Sequence, residues 1–321
     1  MSDSLYRDIP MEHVSRYPVM GIMTTFLSNS ARAMALIRHT YSDWLKLQAS
    51  ASEIAAGPQV RVIVHDPVPP RNLGALHFRA PDPGRLFISA SPCVGVADAL
   101  RLDGCAYVTA DILSEPEVFA EGVLEPLTLT LLASLDREPL HASAVVRDGV
   151  AVVLAGPSGS GKSTLAYAAH RRGYFLLADE SVHVQLRPHL RVWGLRGRIK
   201  LPEAAKVYFP ELKNCGPGRL FSGKTKIAIG VPEERRCFFS DKVALCILGG
   251  FRRGGPRATP LLPEEAVARL ASQVEEGFDL YRSSAPQRIR TLAQAGAWLL
   301  EPGERPEETV SLFDDLVGAV H

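Results

Sequence analysis

Between residues 140 and 180 the apolar positions fall in short blocks separated by glycine and charge. Ala142 to Val146 and Val150 to Ala155 are two such blocks around Arg147-Asp148-Gly149, the pattern of two strands joined by a turn. The second block runs into Gly156-Pro157-Ser158-Gly159-Ser160-Gly161-Lys162-Ser163-Thr164, after which Leu165, Ala168 and Ala169 recur at helical spacing towards Arg172. Phe175 to Ala178 is again short and apolar, so a strand is predicted there, ending on Asp179-Glu180. Further strands are predicted at Val182 to Leu186, Val192 to Leu195, Lys226 to Ile229 and Val243 to Leu248. Helices are expected at about 264–276, 286–295 and 306–319; Pro263-Glu264-Glu265 and Pro306-Glu307-Glu308 open the first and last, as a first helical turn favours.

The first part of the chain has a different texture. Pro10 and Pro18 interrupt any long helix in residues 1–30. From Ala31 towards Ala55, Met34, Ile37, Tyr41, Trp44 and Leu45 recur at three- and four-residue intervals, which predicts an amphipathic helix with a core-facing stripe. Val60 to Val64, Leu76 to Phe78, Leu86 to Ile88 and Tyr107 to Thr109 read as strands between Pro- and Gly-rich turns. Val118 to Leu135 reads as a helix with Val123, Leu124, Leu127, Leu131 and Leu132 along one side. The change near Leu140 predicts two domains, an α+β domain over residues 1–135 and an α/β domain over 136–321. The His, Asp and Arg residues of the first show no ligand spacing. Binding a partner, completing an active site and mediating homo-oligomerisation are all open roles for it.

Composition narrows the class. Apolar residues at 46% and charged residues at 22% suit a globular protein, and a net charge of +1 argues against wholesale nucleic-acid binding. The five cysteines, Cys93, Cys105, Cys215, Cys237 and Cys246, include no Cys-x-x-Cys pair and are odd in number, which favours reduced thiols. No basic segment leads into an apolar one after Met1, and no window approaches the roughly 18 apolar residues of a membrane span. The expectation is a soluble cytoplasmic protein without a membrane partner.

The chemistry concentrates in the glycine-rich turn. Gly-x-x-x-x-Gly-Lys-Ser is the spacing of a phosphate-binding loop, whose successive backbone N–H groups point inward at phosphate oxygens. The start of the following helix adds partial positive charge at the same place. Gly156, Ser158, Gly159, Ser160, Gly161, Lys162, Ser163 and Thr164 are therefore the candidate ATP-phosphate site. Lys162 is expected to reach the β and γ phosphates and the Ser163 hydroxyl to bind Mg²⁺. Phosphoryl transfer to an alcohol also needs a second metal-holding group and a base near the acceptor hydroxyl. Asp179 and Glu180 are the candidates, since two parallel strands joined by the loop's helix would set the pair beside the loop. Neither a Leu-Ser-Gly-Gly motif nor an Asn-Lys-x-Asp motif occurs, which turns the reading away from transporter ATPases and small GTPases.

His141-Ala142-Ser143, Gly156 to Ser163, Gly173 and Ala178-Asp179-Glu180 together resemble the HPr kinase family and its relatives with a phosphoenolpyruvate-carboxykinase-like core. The intervals from His141 to Lys162 and from Lys162 to Asp179 match the family's spacing. The resemblance covers residues 141–200 well and the rest of the C-terminal part in outline. It implies a fold of class α/β, a P-loop kinase core of that type with a separate N-terminal α+β domain. It also implies ATP- and Mg²⁺-dependent phosphorylation of a serine hydroxyl on a protein or peptide. By the same resemblance Asp179 would be the base, Glu180 would help to hold Mg²⁺, and His141 would sit by the acidic pair and the phosphate. The two acids are open to exchanging roles. The family usually carries two aspartates where this chain has Asp179-Glu180, and its Glu-Ile-Arg-Gly signature appears as Gly194-Leu195-Arg196-Gly197, without the glutamate. That departure speaks against the reverse, phosphate-removing reaction. The unmatched N-terminal part speaks against HPr as acceptor, and a ribosomally made precursor peptide is an open candidate. A nucleotide-binding regulatory module without transfer and a small-molecule alcohol kinase are the competing readings.

Basic residues follow the core. Arg196, Arg198 and Lys200 alternate and would share one face of a strand, either steadying a phosphate chain or acidic acceptor or forming a solvated edge. Arg198 is counted with the nucleotide site. Arg219, Lys224 and Lys226 flank Ser222-Gly223, a segment that could close over ATP, and Arg252, Arg253 and Arg257 among glycines read as an exposed loop.

Overall fold

The computed structural model describes residues 9–47, 57–65, 75–90, 93–195, 197–216, 218–221, 224–271 and 279–320. The chain divides into two compact units, Met1–Arg137 and Glu138–His321, and its class is mixed α/β with several sheets.

The first unit is built on one sheet of β1 (His13–Val19), β2 (Ile22–Ser28), β3 (Gln59–His65), β4 (His77–Asp82), β5 (Arg85–Ala90), β6 (Cys93–Asp98) and β7 (Asp103–Thr109), in the order β1-β2-β3-β7-β6-β5-β4. Its helices are α1 (Ala31–Tyr41), α2 (Pro116–Phe119) and α3 (Glu125–Ala133), the last two joined by a π turn at Ala120–Leu124. The hairpin β1-β2 has no counterpart in the apolar pattern. Pro18 is tolerated because β1 is an edge strand, where a missing N–H leaves no ladder bond unmade. The turn is made by Met20 and Gly21, both at positive φ (49° and 76°), which suits a two-residue hairpin although methionine gives no turn signal. Helix α1 stops at Tyr41 and passes into a 3₁₀ turn at Ser42–Lys46; the rest of the predicted helix, 48–55, lies outside the described residues.

The second unit has a central sheet of six strands. These are β9 (Ala142–Arg147), β10 (Val150–Ala155), β11 (Phe175–Ala178), β18 (Lys242–Leu248), β19 (Arg257–Pro260) and β20 (Ala297–Glu301), in the order β11-β9-β10-β18-β20-β19. A four-stranded sheet holds β8 (Glu138–Leu140), β12 (Val182–Gln185), β13 (Arg191–Trp193) and β17 (Phe239–Ser240). A three-stranded one holds β14 (Arg198–Pro202), β15 (Arg219–Phe221) and β16 (Lys224–Gly230). The helices are α4 (Lys162–Arg171), α5 (Pro263–Leu270), α6 (Ala285–Gln294), α7 (Pro306–Val310) and α8 (Phe313–Val320).

β10 is buried on both faces, and its side chains alternate between two cores as a strand's period of two requires. Val150, Val152 and Leu154 join Leu165 of α4, Phe313 and Leu316 of α8, and Ile199, Leu201 and Ile227 of the three-stranded sheet. Ala151, Val153 and Ala155 join Leu270, Ile289 and Leu292 of α5 and α6 and Val182, Val184 and Val192 of the four-stranded sheet.

Four sequence expectations are corrected by the structure. β10 and β11 run the same way but are not neighbours, because β9 lies between them, antiparallel to both. The tail contains β20, paired parallel with β18, where only helices were expected. The helix expected over 306–319 is two helices broken at Ser311 and Leu312, and Arg257 belongs to a strand, β19. No described helix is long and apolar enough to cross a membrane.

Candidate functional site

The glycine-rich turn connects β10 to α4 at the end of the sheet where β10 finishes. Gly161 stands at the N-cap of α4 with φ 97°, a left-handed conformation that glycine adopts without strain, and it offers no side-chain cap to the first helical amides. Gly156 is packed against β18: a Cβ there would stand 3.2 Å from Leu248 Cβ and 3.1 Å from Ser160 Oγ. The loop is tightened by the Ser160 N–H donating to Pro157 O at 3.2 Å. Ser160 Oγ is buried without a hydrogen-bond partner, whereas Ser158 is exposed and Ser163 and Thr164 are half-buried in the first turn of α4. The Lys162 side chain is buried and folds back over the loop, Nζ donating to Gly156 O at 2.7 Å and to Pro157 O at 3.0 Å.

β11 brings the acidic pair to the same place. Asp179 Oδ1 accepts from Ser143 Oγ at 2.6 Å and Oδ2 from the Lys200 backbone N–H at 2.8 Å, and the Ser163 hydroxyl stands near the same carboxylate. Burial pushes the Asp179 carboxyl above the ordinary aspartate range, outweighing the Lys200 N–H and the two hydroxyls and adding to repulsion from Glu180. Glu180 turns away on a left-handed backbone, φ 69°, unusual for a side-chain-bearing residue. Lys226 Nζ bonds its Oε1, and Lys200 Nζ lies 3.2 Å from Oε2. Burial pushes Glu180 up, but the two ammonium groups more than offset it and hold the carboxyl below its usual range.

The remaining predicted residues stand as follows. His141 lies between β8 and β9, half-buried; its neighbour Ala142 pairs with Ala155, so His141 is at the level where the glycine-rich loop begins. Arg198 is half-buried on β14, two positions from Lys200 and paired across the ladder with Gly230. Arg196 and Ser222-Gly223 lie outside the described residues. The structure joins Ser143, Asp179, Glu180, Lys200 and Lys226 in one continuous set of contacts, with Ser163 close to Asp179.

Two members of the set carry no site motif of their own. Ser143 is the lone polar residue in the apolar block 142–146, and that misfit was its signal. Lys226 belongs to the strand predicted for it, facing β14, and its side chain reaches Glu180. Its signal was the alternation Lys226-Ile227-Ala228-Ile229, which puts the isoleucines in the core and the lysine on the other face.

Among the described residues no group of three or more His, Cys, Asp or Glu side chains is placed to hold a metal. A magnesium ion bound with a nucleotide needs fewer, usually one or two protein oxygens beside phosphates and water. Ser163 Oγ and the carboxylates of Asp179 and Glu180 are oxygen donors of that kind, and the first two stand near each other, so the residues fit such an ion.

No protein-family model matches the chain, and no curated protein matches it. Among the solved structures that are distantly similar is the Hpr(Ser) kinase/phosphatase of Coxiella burnetii, 15% identical, covering 57% of this chain and 95% of that one, with a TM-score of 0.31. At that level the chemistry of the site rests on its own geometry.

Proposed function

We propose that residues 136–321 form an ATP- and Mg²⁺-dependent kinase domain that transfers the γ-phosphoryl group to a hydroxyl, a serine of a protein or peptide. What supports this is the nearness of Ser163 to Asp179, close enough for the serine hydroxyl to pull the carboxyl's pKa down, which sets the first turn after a Gly-x-x-x-x-Gly-Lys-Ser loop beside the acidic end of the strand that α4 leads into. A loop alone would bind an anion; a loop joined to two carboxylates supplies oxygen ligands and a proton acceptor as well.

In this reading the backbone amides from Gly156 to Thr164 receive the phosphates, and Lys162 exchanges its two loop carbonyls for phosphate oxygens. Magnesium, when bound, would be held by Ser163 and Glu180 and would neutralise phosphate charge. Asp179 takes the acceptor's proton: its carboxyl is the one that burial moves towards neutral pH, where a general base is most effective. Ser143 and the Lys200 N–H fix its orientation. His141 and Arg198 flank the phosphates. Residues 1–135 contribute no named residue to this reading, and a ribosomally made precursor peptide is among the candidate acceptors.

The test is incubation of the full chain with γ-labelled ATP and Mg²⁺, against serine-containing peptides, free serine and a metabolite pool. Label in a peptide supports the proposal, and label only in a metabolite moves it to a small-molecule kinase. Nucleotide binding with no labelled product leaves only the regulatory module standing. The Asp179→Asn variant should bind ATP as the wild type does and lose transfer; full activity in it would reject the base assignment.

A further inference from the structure

We infer that Lys226 and Lys200, on the outward face of the three-stranded sheet, form a clamp for the terminal phosphoryl group of the nucleotide, and that the Glu180 carboxylate occupies this clamp until the nucleotide arrives. The inference rests on the nucleotide reading above and adds the residues that recognise the third phosphate.

β14 and β16 pair antiparallel, with Pro202 opposite Lys226 and Lys200 opposite Ala228, so one face of the ladder presents Lys200 and Lys226 while Ile199, Leu201 and Ile227 anchor the other in the core. A sheet held by its apolar face is a rigid mount for two long flexible cations. Their ammonium groups converge on the two oxygens of one carboxylate, Nζ of Lys226 on Oε1 and Nζ of Lys200 on Oε2. Both lysine side chains are largely enclosed, 12% exposed for Lys200 and 22% for Lys226, so the converging charges are poorly screened by water. Two parallel N–H to O contacts onto one flat anion suit a phosphoryl group as well as a carboxylate.

The clamp lies close to the loop. Ser163 stands near the Asp179 carboxylate, Asp179 accepts from the backbone of Lys200, and the side chain of that same lysine reaches Glu180. The lysine pair therefore lies on the side of the loop where Ser163 stands, the side assigned to the outer phosphates. Glu180 sits at φ 69°, a conformation a side-chain-bearing residue keeps only when its surroundings hold it there. The lysines supply that hold, and an incoming anion competes with the carboxylate for it. Lys162 repeats the theme, since its ammonium also rests on internal oxygens, those of Gly156 and Pro157.

The experiment compares ATP and ADP binding by calorimetry in buffer with excess EDTA, so that the readout is the lysines' contact with the third phosphate and not turnover. The wild type should prefer ATP to ADP. In the Lys200→Met/Lys226→Met double variant the preference should fall by about tenfold or more, the worth of a charge-assisted hydrogen bond, while ADP affinity stays the same and shows that the fold is intact. Lys226→Arg should restore part of the preference. Glu180→Gln should shift the other way, binding ATP more tightly without metal because the competing charge is gone. An unchanged ATP to ADP ratio in the double variant, with ADP binding intact, overturns the clamp alone. Wild-type protein that binds neither nucleotide overturns the nucleotide reading with it.

Discussion

Lys162 is closely tied to its neighbours: a buried ammonium that donates across its own loop to Gly156 O and Pro157 O. Removing it takes away a charge aimed at phosphates. Lys162→Ala should lower phosphoryl transfer by about 10²-fold or more, the scale seen when one electrostatic stabiliser is lost, measured as kcat in the labelled-ATP assay. Asp179 carries a pH signature. Its carboxyl titrates above the unfolded value, so the folded state holds that proton more tightly. The stabilising contribution is therefore full below the unfolded pKa, about 4 for an aspartate, and is lost as pH rises through the folded one. Asp179→Asn should accordingly raise Tm relative to wild type more at pH 7.5 than at pH 4, read by thermal melts, with about neutral and mildly acidic buffers bracketing the shift. At this scale the loop and the acidic pair were legible in the residues, because glycine, lysine and serine at fixed spacing leave few other readings. Ser143 and the engagement of Lys226 were not, because contacts between side chains on different strands depend on strand order, which periodicity does not encode.

At the scale of elements, short continuous apolar blocks identified β9, β10 and β18 as buried strands, and each strand coincides with its block. What escaped were elements whose burial comes from neighbours rather than from their own pattern. β1 contains a proline and turns on a methionine, and β20 is a strand among helices. The interposition of β9 between β10 and β11 could not be read either, since a strand-helix-strand pattern fixes direction but not adjacency. A close approach between elements explains one glycine. At Gly194 a Cβ would fall 1.7 Å from the carbonyl oxygen of Leu177 on β11, so the segment after β13 runs hard against the acidic strand. Gly194→Ala should destabilise the fold by about 1–3 kcal/mol through overpacking, seen as a lower urea midpoint with unchanged slope. Because β11 moves to make room, transfer activity should fall as well.

Over the whole second unit, one sheet separates two apolar cores, and the candidate site sits at the end of its strands rather than within either core. Stability and chemistry are thus largely separable. Phe313 of α8 is fully buried in the core beneath α4 and meets Tyr174 edge-on, ring centroids 6.0 Å apart. Phe313→Ala should cost about 3–5 kcal/mol of unfolding free energy by calorimetry, while the molecules that remain folded keep wild-type ATP affinity. Parallel loss of affinity at fixed folded fraction would show that the core and the loop are coupled.

The middle strand β9 carries a mechanical consequence. It holds Ser143 against Asp179 on one side and is paired to the loop-bearing strand on the other, through a two-residue reversal at Asp148 and Gly149, φ 51° and 77°, at the opposite end. Slipping that reversal by a single position would flip every side chain on β9 to the other surface and leave the Asp179 carboxylate without its prop. The candidate site is in this sense set from roughly 20 Å away, five or six strand steps at about 3.4 Å each, by a bend at the far end of the strand.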